Sequence, residues 1–168
     1  MISAIVYTSN TGYTAKYAQL LSKATGLPAY SLSQAEDKLS GGSEILYLGW
    51  LMASKVQGYK KAAAAYQVKA VCSVGMGGTG TQLEEVRKGN ALPDALPVFT
   101  LQGGFDMNKL HGIYKFMMKV MKAIQGRKLE KKSSRTEDEN AVLDMLNNGA
   151  SYVSEKNLSG VLSWYRSL

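Results

Sequence analysis

The chain has 168 residues, of which 45% are hydrophobic and 20% are charged, and its formal net charge is +7. This length predicts one globular domain, residues 1–168, with a core of its own, and no apolar run reaches the roughly 18 residues of a membrane span. The single cysteine, Cys72, excludes an internal disulfide and leaves no metal cluster to build. We expect Cys72 to be a small buried residue of a strand. No signal-peptide pattern opens the chain, so we expect a cytoplasmic protein.

The first transition from a strand pattern to a helix pattern lies within residues 5–21, which read IVYTSNTGYTAKYAQLL. A strand pattern over residues 2–7 gives way to a helix pattern that continues to about Thr25, where Gly26 is typical of a C-cap. Between them lies a turn with four hydroxyl side chains: Thr8, Ser9, Thr11 and Thr14. An ordinary N-cap also uses Ser, Asn or Thr, but it needs only one. Because a helix N-terminus offers unpaired amides and partial positive charge, the turn predicts a phosphate site.

The composition of this turn indicates which phosphate it would hold. A nucleoside-triphosphate loop needs the pattern GxxxxGK[ST], in which the lysine reaches the β- and γ-phosphates. Between Thr8 and Ala15 the chain has neither Lys nor Arg. Uncharged donors suit a terminal monophosphate that is held by many hydrogen bonds.

The spacing of aromatic, Ser, Gly, Thr and Ala in this stretch resembles the FMN-phosphate loop of the flavodoxin family. The residues that carry the resemblance are Tyr7, Ser9, Gly12, Thr14, Ala18 and Leu21. It implies that the FMN phosphate is wrapped by Ser9, Asn10, Thr11, Gly12, Tyr13 and Thr14. Tyr13 stands where many flavodoxins carry Asn, a departure that donation from the backbone would tolerate.

The rest of the chain alternates strand and helix patterns, which predicts an α/β protein with a parallel sheet. Strands are expected at residues 2–7, 29–32, 44–50, 69–74 and 97–101. Between them, helices are expected over residues 33–39, 56–66 and 81–88. The apolar run EILYLGW is typical of a central strand buried on both faces. Five strands with right-handed crossovers predict a doubly wound, flavodoxin-like sheet in the order 2-1-3-4-5.

Ligands of such sheets bind at the carboxyl ends of the strands, where three loops of this chain are expected to meet: 8–14, 50–57 and 75–80. In the second loop, Trp50 would stack on a flat heteroaromatic ring, with Leu51, Met52 and Ala53 beside it. The alternative is that Trp50 only caps the core. The flavodoxin resemblance implies that one face of the isoalloxazine lies here.

The third loop, Gly75-Met76-Gly77-Gly78-Thr79-Gly80, satisfies the pattern GxGxxG. Three interpretations stay open: a dinucleotide site, a plain tight turn, or backbone amides that donate to N1 and O2 of a flavin. The dinucleotide site is disfavoured because the loop follows the fourth strand and no acidic residue ends the next one. We therefore include residues 75–80 among the candidate flavin contacts.

The positive charge is concentrated in a helical insertion after the fifth strand, residues 104–135. Seven lysines and two arginines there face only Asp106 and Glu130, so this segment carries the net +7 and the rest of the chain sums to zero. Apolar residues recur at helical spacing: Leu110, Ile113, Met117, Met121 and Ile124. Either this face packs on the body, or it docks an acidic redox partner, an anionic lipid surface or an amphiphilic substrate. In general character the segment resembles the menaquinone-dependent protoporphyrinogen dehydrogenase branch of flavodoxin-like proteins.

The tail predicts two more elements. A helix over residues 136–148 would begin at Thr136 as cap and end at Gly149. Residues 158–168 then predict a terminal helix that packs on the domain.

These patterns together predict an FMN-binding redox protein that transfers electrons to or from a partner protein or a small substrate. The alternatives are a flavin-dependent oxidoreductase acting on a quinone or porphyrinogen-like substrate, and a flavin-free binding module of the same fold. No acid–base pair, nucleophile or metal site stands out. The expected partners are an acidic redox protein, a small-molecule or quinone substrate and, through residues 109–132, a membrane surface; we expect no nucleic-acid partner.

Overall fold

The computed structural model describes residues 1–168 and shows an α/β protein with a mostly parallel sheet. The strands are β1 (Ala4–Thr8), β2 (Ala29–Ser31), β3 (Glu44–Met52), β4 (Lys55–Val56), β5 (Gln67–Gly75), β6 (Val98–Gln102), β7 (Gly104–Phe105) and β8 (Ala150–Ser151). The α-helices are α1 (Tyr13–Thr25), α2 (Leu32–Lys38), α3 (Tyr59–Ala65), α4 (Leu83–Asn90), α5 (Gly112–Met121), α6 (Arg127–Glu130), α7 (Glu137–Asn148) and α8 (Ser159–Arg166). A π-helical turn over Lys122–Gly126 joins α5 to α6, and 3-10 turns cover Met107–Lys109 and Glu155–Leu158.

Five parallel strands form the main sheet in the order β2-β1-β3-β5-β6. Counted among the parallel strands alone, this is the predicted order 2-1-3-4-5, and the α/β class is confirmed. The central strands β1, β3 and β5 are almost wholly buried over their middle residues, as the apolar run EILYLGW predicts.

Helices cover both faces of the sheet, each over its own apolar cluster. On one face, Tyr17 and Leu21 of α1 pack with Val161 of α8. On the other face, the cluster includes one small or branched residue from each of three helices: Ala35 of α2, Ala62 of α3 and Val86 of α4. The terminal helix α8 also places Trp164 5.9 Å from Phe99, between ring centroids. The predicted packing of the terminal helix on the domain is confirmed.

A short hairpin follows β3 where the sequence predicts the start of a helix. The helix expected over residues 56–66 begins only at Tyr59, because Val56 pairs with Leu51 in antiparallel fashion. Both turn residues, Ala53 and Ser54, have positive φ (47° and 61°), as in a type I′ turn without its usual glycine.

Asn90, at the end of α4, anchors this hairpin. It accepts a hydrogen bond from the Val56 amide at 2.8 Å and donates to the Ser54 carbonyl at 2.8 Å. These bonds hold a turn whose own residues disfavour its backbone conformation.

After β6 the chain leaves the main sheet at Gly104 and returns at Ser151, and β7 pairs with β8 to close this excursion (residues 104–151). It has an apolar cluster of its own, centred on Phe105, Leu110, Met145 and Leu146. The insertion predicted over residues 104–135 therefore extends through α7, whose apolar side completes this cluster. No helix of the chain combines the length and the hydropathy needed to cross a bilayer.

Candidate functional site

The three predicted loops follow adjacent strands at one edge of the sheet. The strand register pairs Thr8 with Gly49, Trp50 with Val74, and Gly75 with Gln102. The strands β1, β3 and β5 therefore end side by side, and the loops after them share the crevice edge where ligands of such sheets bind.

The first loop presents a run of backbone amides without protein partners. The Gly12 amide donates to Ser9 Oγ at 3.2 Å, and Gly12 itself adopts a φ of 93° that favours glycine. Six other amides form no hydrogen bond within the protein: Ser9, Asn10, Thr11, Tyr13, Thr14 and Ala15. The N-terminus of α1 has no side-chain cap and no acidic residue in its first turn. This is the arrangement in which a helix N-terminus binds an anion.

The side chains of this loop divide into two groups. Asn10, Thr11 and Thr14 form no side-chain hydrogen bond, although Thr14 is only 2% exposed. Thr8 differs, because its hydroxyl is bonded to the Tyr47 hydroxyl at 2.8 Å. The hydroxyl of Thr8, one of the four that the sequence places in this turn, is therefore already engaged in the fold.

Tyr13 contributes its backbone to the loop and its ring to the core. The ring is part of a side chain that is 6% exposed, and a Cβ built at Gly104 would lie 2.6 Å from the ring. Two cations approach this ring: Lys16 Nζ lies 5.7 Å and Lys109 Nζ 5.0 Å from its centroid. The fold thus brings one cation of α1 and one of the excursion to the Tyr13 ring.

In the second loop, Trp50, Leu51 and Met52 are partly buried at the end of β3, and Ala53 is exposed in the hairpin turn. The Trp50 ring meets Tyr114 of α5 edge to face, with 5.4 Å between ring centroids and planes at 85°. Sequence reasoning missed Tyr114. Its helical spacing in the excursion gave no sign that its ring would reach Trp50.

The third loop also leaves backbone donors free. The amides of Met76, Gly77, Gly78 and Thr79 form no hydrogen bond within the protein, while the Gly80 amide donates to the Thr100 carbonyl at 3.0 Å. Beside them, Gln102 Nε2 is a buried donor without a partner, and the Gln102 amide donates to Thr79 Oγ1 at 2.9 Å. Gln102 is a second residue that the sequence analysis missed. Four free amides in one loop suit a polar, acceptor-rich ligand edge.

The geometry of the third loop disfavours a dinucleotide. The helix that follows it, α4, begins only at Leu83, and Gln82 at its N-cap gives no side-chain cap bond. Glu84 and Glu85 lie in the first turn of α4, where their charge would repel a pyrophosphate. The first turn of α1 has no such charge.

The excursion packs against the second and third loops. Asp138 of α7 lies against Gly78, so a Cβ built there would be 2.4 Å from Asp138 Oδ1. A cleft of about 270 Å³ separates Gly77 and Gly78 from Leu129 and Val142 of the excursion. The third loop therefore forms one wall of a cleft, and the excursion forms the other wall.

Two buried side chains near the site are kept neutral by their surroundings. Burial raises the pKa of Tyr47 to about 12, and the hydrogen bond with Thr8 lowers it only in part. Burial also raises the pKa of the Cys72 thiol, which lies wholly inside β5. Cys72 is the small buried strand residue that the sequence predicts.

Comparison of the chain with protein-family models, with curated proteins and with solved structures found no match. What the structure establishes is therefore the α/β fold, its mostly parallel sheet and the geometry of this edge. The arrangement is compatible with a flavodoxin-like fold.

Proposed function

We propose that this chain is an FMN-binding redox protein with a flavodoxin-like fold. The observation that carries the proposal is the cluster of six unpartnered amides and three unpartnered polar side chains at the N-terminus of α1. These donors have no acceptor within the protein and lie at a helix N-terminus, so a multivalent acceptor would satisfy many of them at once.

A phosphate monoester dianion fits these donors. Its oxygens would accept from the amides of loop one and from the side chains of Ser9, Asn10, Thr11 and Thr14, while Gly12 and Tyr13 would contribute main-chain groups only. The dipole of α1 favours the negative charge, and no acidic residue lies in the first turn of this helix. The Thr14 hydroxyl would gain a partner, because it forms no hydrogen bond in the protein although the residue is only 2% exposed.

The ring system would lie across the edges of β3 and β5. Trp50, Leu51, Met52 and Ala53 would contact it from one loop, and Gly75, Met76, Gly77, Gly78, Thr79 and Gly80 from the other. The free amides of residues 76–79 and the Gln102 side chain would donate to its pyrimidine edge. Bound FMN would supply the electron-transfer chemistry, and donors of this kind favour negative charge on its reduced form.

The placement of the excursion favours a second candidate, an FMN-dependent oxidoreductase acting on a quinone or porphyrinogen-like molecule. A carrier needs a ring edge open to its partner protein. Here Tyr114 contacts Trp50, and Asp138 lies against Gly78. The cleft beside the third loop could hold part of a small substrate.

The absorbance spectrum of the purified protein tests the common element of both candidates. Yellow protein, or uptake of added FMN, supports the flavin proposal. Protein that stays colourless after FMN is added contradicts it and supports the flavin-free module. Anaerobic titration then separates the two candidates: a stable one-electron form indicates a carrier, and a direct two-electron step with fast quinone turnover indicates an oxidoreductase.

A further inference from the structure

Helix α5 has apolar side chains on two sides. On its inner side, Tyr114, Met118 and Met121 pack against the cluster of the excursion. Its outer face, which continues into the π-helical turn, consists of five side chains that are 44% to 69% exposed: Ile113, Phe116, Met117, Val120 and Ile124. The spacing of three or four residues places all five on one side of a helix. Of the apolar set predicted from the sequence, only Leu110 and Met121 face inward.

This outer face is exceptional within the molecule. The chain exposes eight large hydrophobic side chains, and five of them lie in these twelve residues. Single exposed apolar side chains are common on soluble proteins, but a contiguous row marks an interaction surface. The row runs about 16 Å along the helix axis, so it would meet a partner lengthwise.

The charge around the outer face limits the choice of partner. Residues 104–135 carry a net +7, and the exposed cations next to or following the face include Lys109, Lys119, Arg127, Lys128 and Lys131. A second copy of this chain would bring two such segments together, and their repulsion disfavours that pairing. The complementary partner is therefore negatively charged as well as able to accept apolar side chains.

We propose that the outer face of α5 docks on an anionic lipid surface, with the helix axis parallel to the membrane plane. A lipid interface satisfies both requirements at once: acyl chains accept the apolar side chains while anionic headgroups attract the lysines and arginines. An acidic protein would satisfy the cations, but it would also need a groove matched to a protruding row that includes Ile113 and Phe116.

Docking in this way connects the membrane to the sheet edge. The inner side of the same helix places Tyr114 on Trp50, at the end of β3. The helix therefore lies between the lipid surface and the second loop. Membrane binding itself requires no flavin, so it stands or fails separately from the proposed function.

Vesicle co-sedimentation of the full chain tests this proposal. The lipids are phosphatidylcholine alone or with about one third phosphatidylglycerol. We expect binding to the anionic vesicles that weakens with added salt, and much weaker binding to phosphatidylcholine alone. The double variant Ile113→Ser/Phe116→Ser should bind anionic vesicles at least about tenfold more weakly, because two membrane-inserting side chains are lost.

The matched control is Leu83→Ser/Leu168→Ser, which removes two exposed large apolar side chains outside the excursion and should bind as the wild type does. Thermal unfolding should show that both double variants stay folded. Wild-type protein that remains in the supernatant with anionic vesicles contradicts the proposal. Equal binding of Ile113→Ser/Phe116→Ser and wild type also contradicts it. Binding would then rest on charge attraction alone, and the cations would fit an acidic protein partner.

Discussion

The hydroxyl of Thr8, at the end of β1, lies 2.8 Å from the hydroxyl of Tyr47 in the neighbouring strand β3. Tyr47 also donates to the Gln57 carbonyl at 2.7 Å. Gly58 closes this arrangement, because a Cβ there would lie 2.2 Å from Tyr47 Oη and 2.3 Å from Thr8 Oγ1. The base of the first loop and the end of the second are thus fixed to each other by one buried tyrosine.

Replacing this tyrosine tests the link. Tyr47→Phe should lower the free energy of unfolding by about 1 to 2 kcal/mol, since it leaves the Gln57 carbonyl and the Thr8 hydroxyl without their partner. Urea unfolding measures the change. The control is Tyr59→Phe, because the Tyr59 hydroxyl forms no hydrogen bond and its loss should change stability by much less. Equal losses in the two variants would show that the Thr8–Tyr47 link contributes nothing.

The pKa of Tyr47 predicts a loss of stability at high pH. The fold raises it from 10.0 to about 12, mainly by burial, so the unfolded chain gives up this proton first as the pH rises. The stabilisation linked to the Tyr47 pKa is complete below pH 10 and is lost as the pH rises towards about 12. Over this interval the free energy of unfolding should fall by up to about 3 kcal/mol. Urea unfolding of wild type and Tyr47→Phe at several alkaline pH values measures it. The advantage of wild type over Tyr47→Phe should shrink over this interval and reverse at its upper end, and a constant difference would contradict the assignment.

Thr14 allows the phosphate proposal to be tested without disturbing the fold. Thr14→Val keeps the shape of a buried side chain and removes a hydroxyl that has no protein partner, so stability without ligand should not fall. FMN affinity should fall by at least about tenfold, because a hydrogen bond to a charged oxygen is lost. Riboflavin, which has no phosphate, serves as the control ligand, and its affinity should not change. An equal loss for both ligands would place Thr14 away from the phosphate.

Trp50 should give the complementary result. Trp50→Ala removes the proposed ring contact and should weaken FMN and riboflavin alike, by about tenfold. The matched variant is Trp164→Phe, at the other tryptophan, which is partly buried and packs on Phe99. It should leave both affinities unchanged. Quenching of flavin fluorescence measures the affinities. Unchanged affinities of Trp50→Ala for both flavins would show that Trp50 does not contact the flavin ring.

The sequence was sufficient for the features that depend on local pattern. The alternation of strand and helix patterns predicts the five parallel strands. Thr136 is predicted as a helix cap, and the structure confirms it with a capping box between Thr136 and Glu139. Gly26 ends α1 with a φ of 75°, as a C-cap glycine should. These signals lie within a few residues of the structure that they specify.

What the sequence could not supply depends on contacts between distant residues. Nothing near Ala53 indicates a type I′ turn, because the turn is held by Asn90 from another helix. The contact of Tyr114 with Trp50 and the partner of the Thr8 hydroxyl are likewise tertiary. Helical periodicity found the apolar residues of α5, but both sides of that helix carry such residues, and the inner side could not be chosen without the cluster it packs on.

The most direct test of the central claim compares the affinities of the wild-type protein for FMN and riboflavin. Flavin fluorescence at neutral pH measures both. If loop one holds a phosphate monoester, FMN should bind at one site per chain, and at least about a hundredfold more tightly than riboflavin. Equal affinities for the two flavins, or no binding of FMN, would contradict the account.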